Sequence, residues 1–358
     1  MSPRKDVAII GAAGSCGRQL AMQLLSRKVL PPSARLQLVA RRGGRSEVEI
    51  LGLKTDLRDA FADSAPHIEL IDRPELIDAD ILVMLAGSTV PHDPTLNIDR
   101  IELARKNLDI FRTFAEELGR RNGPPPLVIV QSNPVELGVD VFSRYIDRHM
   151  VIGAGANSDT MRFSREVADS LGVRSSDVTA FMLGQHGDYL IPIWSKVAVK
   201  GIDASVLTDW IREQRAGRSL DSLSQEIVHY RSELLGKVAA HQAHEAFSDA
   251  ALLPADLRAA VKPFLVHTTA GRTTEIVTAH SVAEIIETLI SGRQSTFALQ
   301  VRLEKEYLDL KGTGAVPVQL TPQGWTRVVD MALAEDEVAA LRHSFDAIES
   351  VSSSVEAR

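Results

Sequence analysis

His186 stands between two glycines in Gly184-Gln185-His186-Gly187-Asp188, after an apolar run from Val178 to Leu183 that reads as a strand. A turn there projects the imidazole, whose titration range suits proton transfer near neutral pH. A base of this kind needs an acid to fix its tautomer and stabilise the imidazolium. Asp159 offers one, in Asn157-Ser158-Asp159-Thr160-Met161-Arg162-Phe163, a stretch expected to open a helix. Arg162 follows three residues later on the same helix face, and its planar fork can grip a carboxylate with two charge-assisted hydrogen bonds. Taken alone, such a pair equally describes a surface ion pair worth under about 1 kcal/mol. Asn133, in Gln131-Ser132-Asn133-Pro134-Val135, ends another apolar run and adds an amide side chain to the candidate site.

A second kind of chemistry begins at Asp6. The apolar run Val7-Ala8-Ile9-Ile10 leads into Gly11-Ala12-Ala13-Gly14-Ser15-Cys16-Gly17 and then an amphipathic pattern. Strand, glycine turn and helix together suit a dinucleotide: glycines let the backbone approach a pyrophosphate, which the free amides at the helix start then stabilise. The spacing is G-x-x-G-x-x-G rather than the commoner G-x-G-x-x-G. Gly11, Gly14, Ser15, Cys16 and Gly17 are therefore candidate cofactor contacts, with Ala86 and Gly87 at the end of a later strand. In such sites an acid at the tip of the second strand binds the ribose of NAD, whereas arginine accommodates the extra phosphate of NADP. Here the strand ends Val39-Ala40-Arg41-Arg42-Gly43-Gly44-Arg45, without a carboxylate. The cofactor reads as NAD or NADP, with Arg41 and Arg42 favouring NADP.

These residues need a scaffold that brings strand ends together. Apolar runs at Val7 to Ile10, Leu36 to Ala40, Ile81 to Ala86, Leu127 to Val130 and Val151 to Ile152 alternate with helical patterns, the signature of parallel strands joined by crossovers. The fold class is α/β, a Rossmann-like doubly wound parallel sheet with a second, mixed α+β catalytic domain. We place the dinucleotide-binding domain at residues 1–153 and the catalytic domain at 154–350. Further strands are expected at Lys196 to Lys200, Thr296 to Leu303 and Val316 to Leu320. Residues 207 to about 265 read as a charged helical insertion, interrupted by Pro254 and Pro263 and without catalytic residues. Ser350 to Ser354 reads as a frayed end.

Composition narrows the function. The 358 residues carry 40 basic and 47 acidic side chains, a net charge of -7 that offers no general attraction for nucleic acid or anionic lipid. The longest apolar run, Ile81 to Gly87, is far short of the ~20 residues a membrane span needs. Cys16 is the only cysteine, which fits a reducing compartment, and the chain reads as cytoplasmic. His241 and His244 have a spacing a metal can use, but no third ligand accompanies them, and no metal is assigned.

In order, the glycine turn, Ser132-Asn133-Pro134-Val135, Gly153-Ala154-Gly155 through Phe163, and Gly184-Gln185-His186-Gly187-Asp188 resemble the malate/lactate dehydrogenase family. His186 follows Asp159 by 27 residues, and the stretch from Leu333-Ala334-Glu335 through Leu341 to Ser344 is family-like too. The resemblance covers nearly the whole chain. It implies that His186 is the proton donor and acceptor, Asp159 its partner, Arg162 the grip on the substrate carboxylate, and Asn133 a contact to substrate and nicotinamide. Arg100, seven residues before Asn107, would polarise the substrate carbonyl. Thr273 would join Arg100, Asn133, Arg162 and His186 in binding substrate.

The implied reaction moves a hydride between NAD(P) and a small 2-hydroxy or 2-oxo acid, malate first. Alternatives are a lactate-like or other 2-hydroxyacid dehydrogenase with a non-standard substrate, and a catalytically silent NAD(P)-binding protein. Two departures bear on the substrate. The loop Ser88 to Asp99 lacks the family's second arginine, with His92 its one potential cation. In Ala270-Gly271-Arg272-Thr273-Thr274-Glu275-Ile276, Arg272 offers a replacement charge and Glu275 reads as an exposed helix carboxylate. By analogy with the family, the chain forms a homodimer or homotetramer.

Overall fold

A computed structural model of the chain describes residues 5–89, 93 and 100–356. The first half builds β1 (Val7–Ile10), α1 (Ser15–Ser26), β2 (Arg35–Val39), α2 (Arg45–Ala60), β3 (His67–Ile71), β4 (Ile81–Met84), α3 (Arg100–Gly119), β5 (Leu127–Val130), α4 (Val135–Phe142) and β6 (Val151–Gly153). The five runs of apolar sequence all become strands, because helices cover both faces of a parallel sheet and every position is buried. β3 escaped the sequence reading: His67 and Glu69 break its apolar run, and only Ile68 and Ile71 are buried.

Strands β3-β2-β1-β4-β5-β6 lie side by side, all parallel. The chain leaves β1 in one direction through β2 and β3, then returns to β4 on the other flank. The order reverses between β1 and β4, which opens a crevice beyond their carboxyl ends.

The second half contributes α5 (Gly155–Leu171), β7 (Val178–Thr179), β8 (Met182–Gly184), β9 (Leu190–Pro192), β10 (Ala198–Val199), α6 (Ala204–Arg215), α7 (Leu223–Ala239), α8 (Ala243–Leu252), α9 (Ala255–Ala270), α10 (Glu275–Ser291), β11 (Ser295–Glu304), β12 (Lys311–Thr321), β13 (Gly324–Val328) and α11 (Glu335–Glu356). The sheet does not stop at residue 153. Gln300 of β11 pairs antiparallel with Gly153, and the path continues through β12 to β8 and β9. The strand ends that carry Gly11, Asn133 and His186 therefore belong to one continuous sheet.

Five expectations are corrected. The run from Val178 to Leu183 divides into β7 and β8, which pair with β10 and with β12 and β9 respectively, and only Ala198–Val199 of the expected Lys196–Lys200 strand is extended. Pro254 does end one helix and cap the next, but α9 runs straight through Pro263. The missing N–H costs one helical bond, and burial of Ala259, Ala260, Val261 and Leu265 around it holds the helix together. The serine-rich end is not frayed, since α11 continues to Glu356 and Val355 packs into the core, 6% exposed. His241 lies in a left-handed turn between α7 and α8, so it does not share a helix face with His244.

Candidate active site

The glycine turn sits where β1 meets α1. Gly11 has φ +84°, and a Cβ there would lie 2.8 Å from the backbone nitrogen of Ala86, so the turns after β1 and β4 touch. A Cβ on Gly17 would lie 2.5 Å from the Gly11 carbonyl oxygen. Both positions exclude any side chain. Gly14 caps α1, whose first turn holds no acidic residue, leaving the amides and the helix dipole to an anion. This cradle fits a dinucleotide pyrophosphate. Burial and the nearby Glu275 carboxylate push the Cys16 thiol up to about 11, so it stays uncharged beside that cradle at neutral pH.

The turn after β5 is tied across the crevice. Ser132 Oγ donates to the carbonyls of Met84 (3.2 Å) and Ala86 (2.8 Å). Asn107 of α3, wholly buried, accepts from the Ser88 amide at 2.7 Å and donates to the Ser88 and Asn133 carbonyls at 3.0 and 2.6 Å. The backbones of Ser88 and Asn133 are thereby held together.

His186 lies at the end of β8, with Nδ1 2.7 Å from Asp159 Oδ2. An ionised carboxylate only accepts, so Nδ1 carries the proton in this bond and Nε2 is the nitrogen suited to exchanging one with substrate. The other Asp159 oxygen accepts from Arg162 Nη1 at 2.8 Å, and Arg162 Nη2 donates to Thr274 Oγ1 at 2.9 Å. Burial alone would raise the Asp159 pKa, but His186 and Arg162 outweigh it and hold the carboxyl below its ordinary range.

A carboxyl with a depressed folded-state pKa stabilises the native state fully above its unfolded value, about 3.9, and loses that contribution as pH falls through the folded value. The stability deficit of Asp159→Asn is therefore expected to be full near pH 6 and to shrink below about pH 4. Thermal unfolding of both proteins from pH 7 to pH 3 checks this. A deficit independent of pH would contradict it.

Four elements fix the His186 turn. Ser344 of α11 accepts from the Gln185 amide at 2.9 Å and donates to the Tyr189 carbonyl at 2.7 Å. Glu136 of α4, 3% exposed, accepts from the His186 amide at 2.6 Å and from Gln300 at 3.3 Å. Arg231 of α7 pairs with Asp188. Gly155, at the start of α5, allows the imidazole to lie against the helix, since a Cβ there would meet His186 Cγ at 2.6 Å.

One cavity of about 350 Å³ joins the two chemistries. Gly11, Gly14, Ser15, Cys16, Gly17, Gly87, Asn133, Asp159, Arg162, His186 and Thr273 all line it. Ala86 supports the glycine turn from behind through its backbone. Arg41 and Arg42 do not line the cavity; they lie exposed beyond β2, where Arg42 is 3.8 Å from Asp72. Arg100 opens α3, but its side chain and His92 lie outside the described residues.

Three findings depart from the sequence reading. Glu275 is not an exposed helix charge, because it is buried and forms an ion pair with Arg272 at 3.2 Å. Arg272, 60% exposed, lines a neighbouring groove instead of the cavity. The helical stretch thought empty of function supplies a cavity wall, through Ala260, Pro263, Phe264 and His267 of α9. Glu136 and Asn107 were also missed. Their signal was a polar residue within an apolar run or stripe: Glu136 between Val135 and Leu137, and Asn107 between Leu103 and Phe111 at four-residue spacing.

Residues 5–153 match the family model described as the lactate/malate dehydrogenase NAD binding domain. The L-lactate dehydrogenase B chain of Anguilla rostrata is 24% identical over 353 residues, covering 97% of this chain and 92% of that protein. The malate dehydrogenase of Methanothermobacter thermautotrophicus is 25% identical over 347 residues, covering 94% and 93%. Among solved structures, the lactate dehydrogenase of Cryptosporidium parvum, in complex with lactic acid and nicotinamide adenine dinucleotide, superposes with a TM-score of 0.77 at 19% identity over the full length of both chains.

Proposed function

We propose that the chain is a member of the lactate/malate dehydrogenase family, whose NAD binding domain model matches residues 5–153, and that it is an NAD(P)-dependent 2-hydroxyacid dehydrogenase. The reaction is 2-oxo acid + NAD(P)H + H⁺ ⇌ 2-hydroxy acid + NAD(P)⁺, with oxaloacetate and malate the first candidates. One observation carries the reading: His186, Asp159 and Arg162 are linked by hydrogen bonds inside the cavity that also holds the glycine turn. Residues 1–153 would be the dinucleotide-binding half and 154–350 the substrate half.

The bound cofactor supplies the hydride, and the chain's own residues do the rest. The turn from Gly11 to Gly17 and the start of α1 hold the pyrophosphate, while Asn133 and Gly87 line the way to the reacting centre. Arg162 grips the substrate carboxylate, kept in place by Asp159 and Thr274. His186 donates its proton to the carbonyl oxygen during reduction and recovers it in oxidation. Asp159 stabilises the imidazolium throughout. The family resemblance gives Arg100 the stabilisation of developing charge on that oxygen and Thr273 a substrate contact.

The absence of a carboxylate at the end of β2, with Arg41 and Arg42 in its place, supports NADP over NAD. Arg41→Ala with Arg42→Ala is expected to raise KM for NADPH at least about tenfold, the loss of one charge-assisted bond, with a smaller change for NADH. Equal losses for both cofactors would remove the phosphate role.

A homodimer or homotetramer is part of the same reading, supported by exposed apolar side chains on α2 and α10: Val48, Leu51 and Ile276, 69%, 54% and 63% exposed. The single thiol supports a cytoplasmic setting. Oxidation of NADH and NADPH by purified protein against oxaloacetate, pyruvate and longer 2-oxo acids tests the function. Saturable turnover on at least one small 2-oxo acid is expected. Tight cofactor binding with no turnover on any would instead describe a silent binding protein.

A further inference from the structure

Arg231 interrupts an apolar stripe. Leu223, Ile227 and Leu234 lie along the buried face of α7 at helical spacing, and Arg231 stands between Ile227 and Leu234 on that face. Its side chain is only 14% exposed. A guanidinium held away from water needs a partner to offset its lost hydration. That partner is Asp188, 18% exposed and two residues after His186. Arg231 Nη1 and Nη2 donate to different oxygens of the carboxylate, the second at 3.4 Å. The same guanidinium lies over the Phe264 ring of α9, 4.8 Å from its centroid.

α7 is a firm base for these contacts. Leu223 and Ile227 pack into the main core, and Leu234 packs with Val261 and Leu265 of α9. Phe264 belongs to the face of α9 that lines the cavity, and Asp188 belongs to the turn that presents His186. Glu136 and Ser344 hold that turn at Gln185, His186 and Tyr189. The Asp188–Arg231 pair adds its link to the helical stretch. Arg231 itself does not line the cavity, yet it touches two of the parts that shape it.

We propose that Arg231 is a positioning residue for the reaction: acting through Asp188, it ties the His186 turn to the cavity wall formed by α9, so that the imidazole and the wall keep one fixed separation. This rests on the dehydrogenase reading above and adds a residue that acts from outside the cavity. The tie needs an arginine. Lysine keeps the charge beside Asp188, but it presents a single nitrogen to the carboxylate and no planar face to Phe264.

The test is kcat per cofactor-binding site on the 2-oxo acid that the wild type reduces fastest, with sites and affinity read from fluorescence titration of reduced cofactor. The wild type is compared with Arg231→Met, Arg231→Lys and the double variant Arg231→Met with Asp188→Asn. Arg231→Met is expected to lower kcat per site about ten- to a hundredfold, the scale for a reacting group displaced by up to about 1 Å. Cofactor affinity should not change, because the glycine cradle lies elsewhere, and Arg231→Lys should recover part of the loss. Arg231→Met also leaves the Asp188 carboxylate without its guanidinium, which lowers stability. The double variant removes that charge and keeps the test valid if Arg231→Met alone does not fold. It recovers stability but still lacks the tie, so its kcat per site should stay as low as in Arg231→Met, the two losses failing to add. A pair that serves stability alone behaves otherwise: kcat per site in the double variant returns to the wild-type value. That return, or a wild-type kcat per site in Arg231→Met, overturns the proposal and leaves the dehydrogenase reading standing. A wild type that reduces no 2-oxo acid removes both.

Discussion

His186→Ala is expected to lower turnover by about 10²- to 10⁴-fold, the range for losing a positioned general acid and base, while cofactor binding survives. The two effects separate because their residues do. The proposed dinucleotide cradle is Gly11, Gly14 and Gly17 at the start of α1, whereas the imidazole comes from the turn after β8. Asp159→Asn should be nearly as damaging, since an amide can donate to Nδ1 and reverse the tautomer that the 2.7 Å bond selects. Steady-state kinetics with fluorescence titration of NADH distinguishes the two readouts. Near-normal turnover by His186→Ala would mean that another group moves the proton.

Gly155→Ala is expected to cost about a hundredfold in turnover without removing any reacting group. The added Cβ would sit 2.6 Å from His186 Cγ, 2.8 Å from its Cβ and 3.0 Å from Cδ2, so the ring must move. Displacing a reacting group by about 1 Å can cost about 10²-fold. The ring has little room to yield, because the backbone on either side is fixed by Glu136 and Ser344. Gly155 is the third residue of the Gly153-Ala154-Gly155 stretch, which does not become a positive-φ turn, and close approach is its reason to be glycine. Retained turnover in this variant would show that the His186 turn can shift as a unit.

Much of this arrangement was legible in the residues. Parallel strands buried on both faces give unbroken apolar runs such as Ile81–Met84, and a glycine turn between strand and helix marks the crevice. His186, Asp159 and Arg162 were found because their types suit proton transfer and carboxylate binding and their order resembles a known family. What stayed hidden depended on tertiary contact. β3 has only two buried side chains, so its periodicity is weak. Pro263 looked like a helix stop because sequence alone weighs one missing hydrogen bond and not the buried alanines around it. Glu275 looked solvated, yet α10 packs its first turn against α1, as Gln23 donating to the Ile276 carbonyl at 3.1 Å shows. The α9 wall was invisible because a helix face declares that it is apolar and not what it faces.

Deuterium at the transferable position of the cofactor follows the hydride to its destination. Purified protein given cofactor carrying deuterium at the transferable C4 position, with oxaloacetate or pyruvate in ordinary water, is expected to yield a 2-hydroxy acid with one deuterium at C2 and an equal amount of oxidised cofactor. Mass spectrometry of the product reads the outcome. A 2-hydroxy acid without deuterium, or oxidised cofactor without any 2-hydroxy acid, would contradict direct transfer between the site built around His186 and the cradle at Gly11.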